Sequence, residues 1–91
     1  MFYYTLSDTL KKKVDKLAKK DPVLVSILKK KIIEIVSRNE KTISMYKNLK
    51  SPDNDKKRVH LTDNTILLFN VDIENSRVLF IDILHWDDAY K

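Results

Sequence analysis

The chain has 91 residues, 43% hydrophobic and 34% charged, enough for one core of modest size. It contains no cysteine and no glycine, which excludes disulfides, thiolate chemistry and Cys-based zinc sites, together with the glycine loops of P-loop and dinucleotide-binding motifs. The net charge of +5 is uneven: residues 1–61 carry 16 Lys and Arg against 7 Asp and Glu, a surplus of +9, whereas residues 62–91 carry 2 against 6. The first part suits a polyanion or an acidic protein, although a lysine-rich solvated surface reads the same way.

No apolar run reaches the length of a membrane span, and "MFYYTLSDTLKKK" places its charges after its apolar residues, the reverse of a secretory signal. One cytoplasmic domain over 1–91 is expected, with no membrane partner. "FYYTL" reads as a strand; Ser7 or Asp8 then offers an N-cap to a helix whose Leu6, Leu10, Val14 and Leu17 recur at helical spacing. A second helix follows at once, with Asp21 as cap, Pro22 in its first turn and a stripe of Leu24, Leu28, Ile32 and Ile35. The tight "KKDP" turn between them predicts an antiparallel helix hairpin.

From Arg38 to Asp55 the periodicity fails, leaving a connection with a short helical turn near Ile43 to Tyr46. The period then becomes two. In "RVHL", Arg58 and His60 share one face and Val59 and Leu61 the other; "TDN" turns into "TILLFNV", apolar on both faces as a central strand should be; "DIENS" turns into "RVLFIDIL". The order β, α, α, β, β, β is an α+β arrangement, the helix hairpin covering one face of a sheet that the first strand completes. The other face is left available.

Two groups of residues carry chemistry. Lys50, Lys56, Lys57, Arg58 and His60 precede the central strand, and His85, Trp86, Asp87, Asp88 and Tyr90 follow the last one. If the chain turns back after Leu84, the groups converge on the open face as a mixture of bases, cations and rings. That mixture suits RNA cleavage, where a base takes the 2′-hydroxyl proton, an acid protonates the leaving 5′-oxygen and cations steady the phosphate. Histidine serves either proton step, Arg58 can hold phosphate oxygens in pairs, and Trp86 or Tyr90 can stack a splayed base. Each residue also has a plainer reading: strand histidines as surface structure, Trp86 and Tyr90 as a seal on the sheet edge, Asp87 and Asp88 as caps of a final turn. Neither histidine has a partner at short ligand spacing, so no metal site and no cofactor are expected.

In these residues the chain resembles the RelE/ParE superfamily of toxins from toxin–antitoxin systems, and within it the RelE and YafQ-like branch. The likeness rests on Tyr46 to Leu49 as "Y-x-N-L", Arg58 to His60 as "R-V-H", "ILLFNVD" ending at Asp72, and a terminal His85, Asp87 and Tyr90. The resemblance implies a metal-independent endoribonuclease that cuts messenger RNA in the ribosomal A site and is held inactive by a cognate antitoxin. It implies His60 and His85 as acid and base, Arg58 and Lys50 at the phosphate, and Tyr90 in stacking or proton transfer; Lys56, Lys57, Trp86 and Asp87 complete the RNA-facing set. Two positions depart from the pattern: Trp86 stands where many relatives have a basic residue or histidine, and Ile66 where many have arginine. A ParE-like gyrase inhibitor shares the scaffold but has no use for two imidazoles, and a non-catalytic antitoxin- or RNA-binding member is the third reading.

Overall fold

In the computed structural model, which describes residues 1–48 and 56–89, the elements are β1 (Tyr3–Leu6), α1 (Asp8–Lys20), α2 (Pro22–Val36), α3 (Glu40–Ile43), β2 (Lys57–His60), β3 (Thr65–Asp72), β4 (Arg77–His85) and α4 (Trp86–Ala89). Lys50 and Tyr90 lie outside the described residues. The strands form one sheet in the order β1-β4-β3-β2, with β1 parallel to β4 and the remaining pairs antiparallel. The α+β arrangement expected from the change of hydrophobic period is therefore the one observed, the first strand joining the far edge of the terminal meander. Among the described residues no helix is long and apolar enough to cross a membrane.

Ser7 serves two elements. Its hydroxyl oxygen accepts the Leu10 amide at 3.0 Å, capping α1, while the hydroxyl donates to the Ile81 carbonyl of β4. Such a cap stabilises a helix by about 1 kcal/mol. Asp21 caps α2 in the same way through the Leu24 amide at 3.1 Å, and Pro22 occupies the first turn, where its missing N–H is no loss. The α2 stripe is buried at Leu28, Ile32 and Ile35. The helical turn expected near Ile43 to Tyr46 instead spans Glu40–Ile43. Its start is fixed by a reciprocal cap, the Thr42 amide donating to Asn39 Oδ1 at 2.9 Å and the Asn39 amide to Thr42 Oγ1 at 3.2 Å, a local signal that leaves no trace in hydrophobic period.

The main core lies between the helices and the sheet, where Leu10, Leu28, Ile35, Leu67, Phe69, Val78, Phe80 and Ile83 are buried. Phe80 and Ile83 are three apart on β4, a spacing that puts two residues of a regular strand on opposite faces. A bulge resolves this: Leu68 pairs with Asp82 and Phe69 with Phe80, so Ile81 is the extra residue and both side chains reach the helices. β1 pairs with β4 only as far as Phe80. Beyond that point α1 takes over the edge, with Lys13 Nζ donating to the Ile83 carbonyl at 3.0 Å and pairing with Asp82 at 2.7 Å.

The β3–β4 turn shows what a glycine-free chain does where the backbone must turn left. Ser76 takes φ 52°, and Asp72 braces the turn by accepting from the Asn75 backbone at 3.3 Å and the Asn75 side-chain amide at 2.8 Å. Those two bonds, the side-chain one foremost, hold the Asp72 carboxyl below its ordinary value. A left-handed residue with a Cβ costs about 1–2 kcal/mol, part of which glycine returns through its freer unfolded chain. Ser76→Gly should therefore stabilise the fold by about 0.5–1 kcal/mol, read as a rise in Tm; an unchanged or lower Tm would refute the strain.

Candidate active site

β2 puts Val59 against the main core and Arg58 and His60 on the face away from the helices. In register, Arg58 lies opposite Leu68 and His60 opposite Ile66. Trp86 completes the group from the other end of the chain. Its backbone N–H donates to the Asn64 carbonyl in the β2–β3 turn at 2.7 Å, which fixes the start of α4 beside β2. The indole then lies 4.8 Å from the His60 ring, tilted by 30°, with the Arg58 guanidinium carbon 5.4 Å from its centroid. His60 is exposed, Arg58 and Trp86 are half-buried, and the His60 Nδ1 is 3.3 Å from the Thr62 carbonyl.

Beneath Trp86 sits a second, smaller apolar cluster formed with Ile66, Leu68, Ile81 and Leu84. Ile66 is fully buried there. The face left available by the helix hairpin is thus partly roofed at this end, and Trp86 and Ile66, the two departures from the family pattern, belong to the same cluster. A permanently charged guanidinium over an aromatic plate is favoured by about 0.5–1 kcal/mol at an exposed site, and the contact helps to fix the side chain.

His85 is placed otherwise than expected. It pairs with Thr65, whose neighbour Leu67 faces the helices, so the His85 side chain is on the helix side of the sheet while Arg58 and His60 are on the other. It borders a groove against Lys13, Lys16 and Lys20 of α1. The chain does turn back after Leu84, but the residue carried to the open face is Trp86; the convergence of the two imidazoles does not occur. The reason is strand alternation: consecutive residues at the end of β4 point to opposite sides, and the sequence alone does not say which parity the bulge at Ile81 will leave.

Other expected residues divide. Lys57 Nζ is bonded to the Tyr46 carbonyl at 3.1 Å and to Asn48 Oδ1 at 3.0 Å, with the Ser44 carbonyl at 3.4 Å. It fastens residues 44–48 to β2, where the Arg58 amide also donates to the Lys47 carbonyl at 2.8 Å. An RNA-facing role for its charge does not fit this position. Lys56 directly precedes β2, half-buried. Asp87 is turned toward His85, its amide 3.3 Å and its carboxylate 3.7 Å from Nδ1. Lys13 and Asn64 were missed, since a helix lysine and a turn carbonyl carry no sequence signal for the strand end they hold. Among the described residues no three His, Asp or Glu side chains gather as a metal site.

An imidazole, a guanidinium and a half-buried indole within one patch can take a proton, hold a phosphate and receive a base. No family model matches the chain. It is 37% identical over 91 residues to "Putative toxin RelE4" of Methanocaldococcus jannaschii, covering 100% of this chain and 93% of that one. Its fold superposes on YafQ from E. coli with TM-score 0.73 at 15% identity over 100% of both chains. It also superposes on the toxin–antitoxin complex RelBE2 from Mycobacterium tuberculosis with TM-score 0.72 at 17% identity, covering 92% of this chain and 90% of that one. The chain belongs to the RelE family, the toxins of type II toxin–antitoxin systems.

Proposed function

We propose that the chain is an endoribonuclease that cuts messenger RNA during translation and is silenced by a cognate antitoxin. The observation that carries this reading is the grouping of Arg58, His60 and Trp86 on the sheet face opposite the helices. In the proposed reaction His60 accepts the 2′-hydroxyl proton, the 2′-oxygen attacks the adjacent phosphorus, and the 5′-oxygen of the next nucleotide leaves with a proton. The products are a 2′,3′-cyclic phosphate and a 5′-hydroxyl. Arg58 stabilises the charge that grows on the non-bridging oxygens, and Trp86 with the His60 ring offers a surface on which a displaced base stacks. With one imidazole on this face, we assign the second proton to Tyr90, four residues beyond Trp86, or to solvent.

The antitoxin follows from the same family membership, and solved relatives of this fold include complexes of a toxin with its antitoxin. A second reading, a binding protein without cleavage, is favoured by the apolar character of the cluster under Trp86 and by the separation of His85. Mapping RNA ends after brief induction separates the readings. Cuts within translated codons that vanish in His60→Ala support the ribonuclease. Growth arrest without such cuts turns the assignment to a ParE-like action on gyrase, and normal growth with verified expression to the binding protein.

A further inference from the structure

The sheet face that carries Arg58 and His60 continues well past them. Alternation along β3 puts Asn70 and Asp72 on the same side as Leu68, and the register carries that side across β4 at Leu79 and Arg77 and onto β1 at Thr5 and Tyr3. A cavity of about 430 Å³ opens there against Thr5, Asn70, Arg77 and Leu79. A second, of about 440 Å³, shares Thr5 and Arg77 with it and reaches the sheet edge at Tyr3. Arg77 lies four residues along β3 and two strands across from Arg58, about 16 Å at ordinary strand rise and spacing.

We propose that Tyr3, Asn70 and Arg77 form a second nucleotide subsite, which holds a base and phosphate of the same single-stranded RNA a few nucleotides away from the base displaced at Trp86. This rests on the reading of the chain as a ribonuclease. Tyr3 is 77% exposed and presents a ring on which a base can stack. Arg77, opposite it in register, is exposed and permanently charged, which suits a phosphate. Asn70 has its Oδ1 buried without a hydrogen-bond partner, a costly state that a donor from a ligand relieves once the amide swings toward the cavity. Asp72 is the opposing charge on this stretch, and its carboxylate is already bonded to the Asn75 backbone and side chain. A docked protein helix would need a row of apolar anchors, whereas the two cavities offer an exposed aliphatic side chain only at Leu79.

The amide oxygen also selects among bases. An exocyclic amine, as on adenine, cytosine or guanine, projects beyond its ring and reaches a recessed oxygen. The ring N–H of uracil is flanked by two carbonyls that would face the same oxygen and be repelled. A strand held at both ends of the face is fixed in register over Arg58, so Asn70 sets a sequence preference at a distance from the bond that is cut.

The probes are labelled single-stranded oligonucleotides of about eight residues, all-adenine or all-uracil, with every 2′-oxygen methylated so that no strand can be cut. Anisotropy should show saturable binding that Tyr3→Ala with Arg77→Glu weakens at least about tenfold, and that Arg58→Ala weakens independently. The adenine strand should bind more tightly than the uracil strand, and Asn70→Leu should abolish the difference. In the wild type, 5-iodouridine moved one position at a time along an adenine strand should photocrosslink to Trp86 at one position and to Tyr3 at another a few nucleotides away. Unchanged affinity in the double variant, or crosslinks confined to Trp86, would overturn the subsite. Equal affinity of the wild type for the two strands would overturn the role of Asn70. Affinity lowered by the double variant but untouched by Arg58→Ala would detach the subsite from the proposed cleavage site. Adenosine monophosphate that binds as tightly as the adenine strand, with the same dependence on Tyr3 and Arg77, would make it a site for free nucleotides instead. Cleavage is read in none of these measurements, so failure of the ribonuclease reading is seen separately.

Discussion

His60→Ala is expected to lower the rate of RNA cleavage by about 10²–10⁴-fold, the range for removal of a positioned general acid or base. His60 qualifies by position: it is exposed at the end of β2, its ring rests on Trp86 at 4.8 Å, and Arg58 shares the same plate. The loss should appear in kcat more than in KM, because the imidazole acts on a proton that moves only in the transition state. Arg58→Lys is the informative companion. It keeps a charge and loses the fork of donors and the planar contact with the indole, so a drop of about 10²-fold would assign Arg58 to the developing phosphate charge. His85→Ala, on the opposite face, should cost at least about tenfold less than His60→Ala. Single-turnover cleavage on translating ribosomes would decide this order, and a His85 effect equal to that of His60 would reinstate a two-histidine site.

The fold was legible because its signals are redundant. The stripe on α2, the Ser7 and Asp21 caps and the alternation of "RVHL" each point to one answer, and the fully apolar "ILLF" of β3 requires a central strand covered on both faces. The site was legible only by halves. Arg58 and His60 share a face because two residues separate them on a regular strand, which the sequence states outright. The other half depends on the parity with which β4 ends, and that parity is set by a bulge at Ile81, where no glycine or proline marks the irregularity. Lys57 was misread for a different reason. Next to Arg58 it looks like part of a basic patch, yet alternation turns it toward residues 44–48, whose carbonyls a charge-only reading cannot see. Trp86 and Ile66 look like two separate losses of cation in the sequence; in space they form one packed cluster beneath the Arg58 and His60 side chains.

The largest effect on stability is expected at Phe69. It is fully buried at the centre of the sheet, 5.9 Å from the Phe80 ring and 5.5 Å from the Tyr46 ring, which meets it edge-on. Phe69→Ala leaves a cavity between two aromatic rings that the helices cannot collapse into without disturbing Ile35 and Ile43, both themselves fully buried. A change of this kind costs about 3–5 kcal/mol, a large share of the roughly 5–15 kcal/mol that holds a domain of this size. The damage should not be confined to the core. Tyr46 accepts a hydrogen bond from Arg38 Nε at 2.6 Å, and its carbonyl takes one of the Lys57 bonds, so its ring on Phe69 anchors the segment that lines the outer edge of β2. In Phe69→Leu most of the volume is kept and the loss should be about 1 kcal/mol, with that segment still attached. Denaturant unfolding would measure both, and amide exchange at Arg58, whose N–H donates to the Lys47 carbonyl, would report the edge. If Phe69→Ala cost no more than Phe69→Leu, or if Arg58 exchange stayed at its wild-type rate relative to global unfolding, the active edge would be shown to stand independently of the central core.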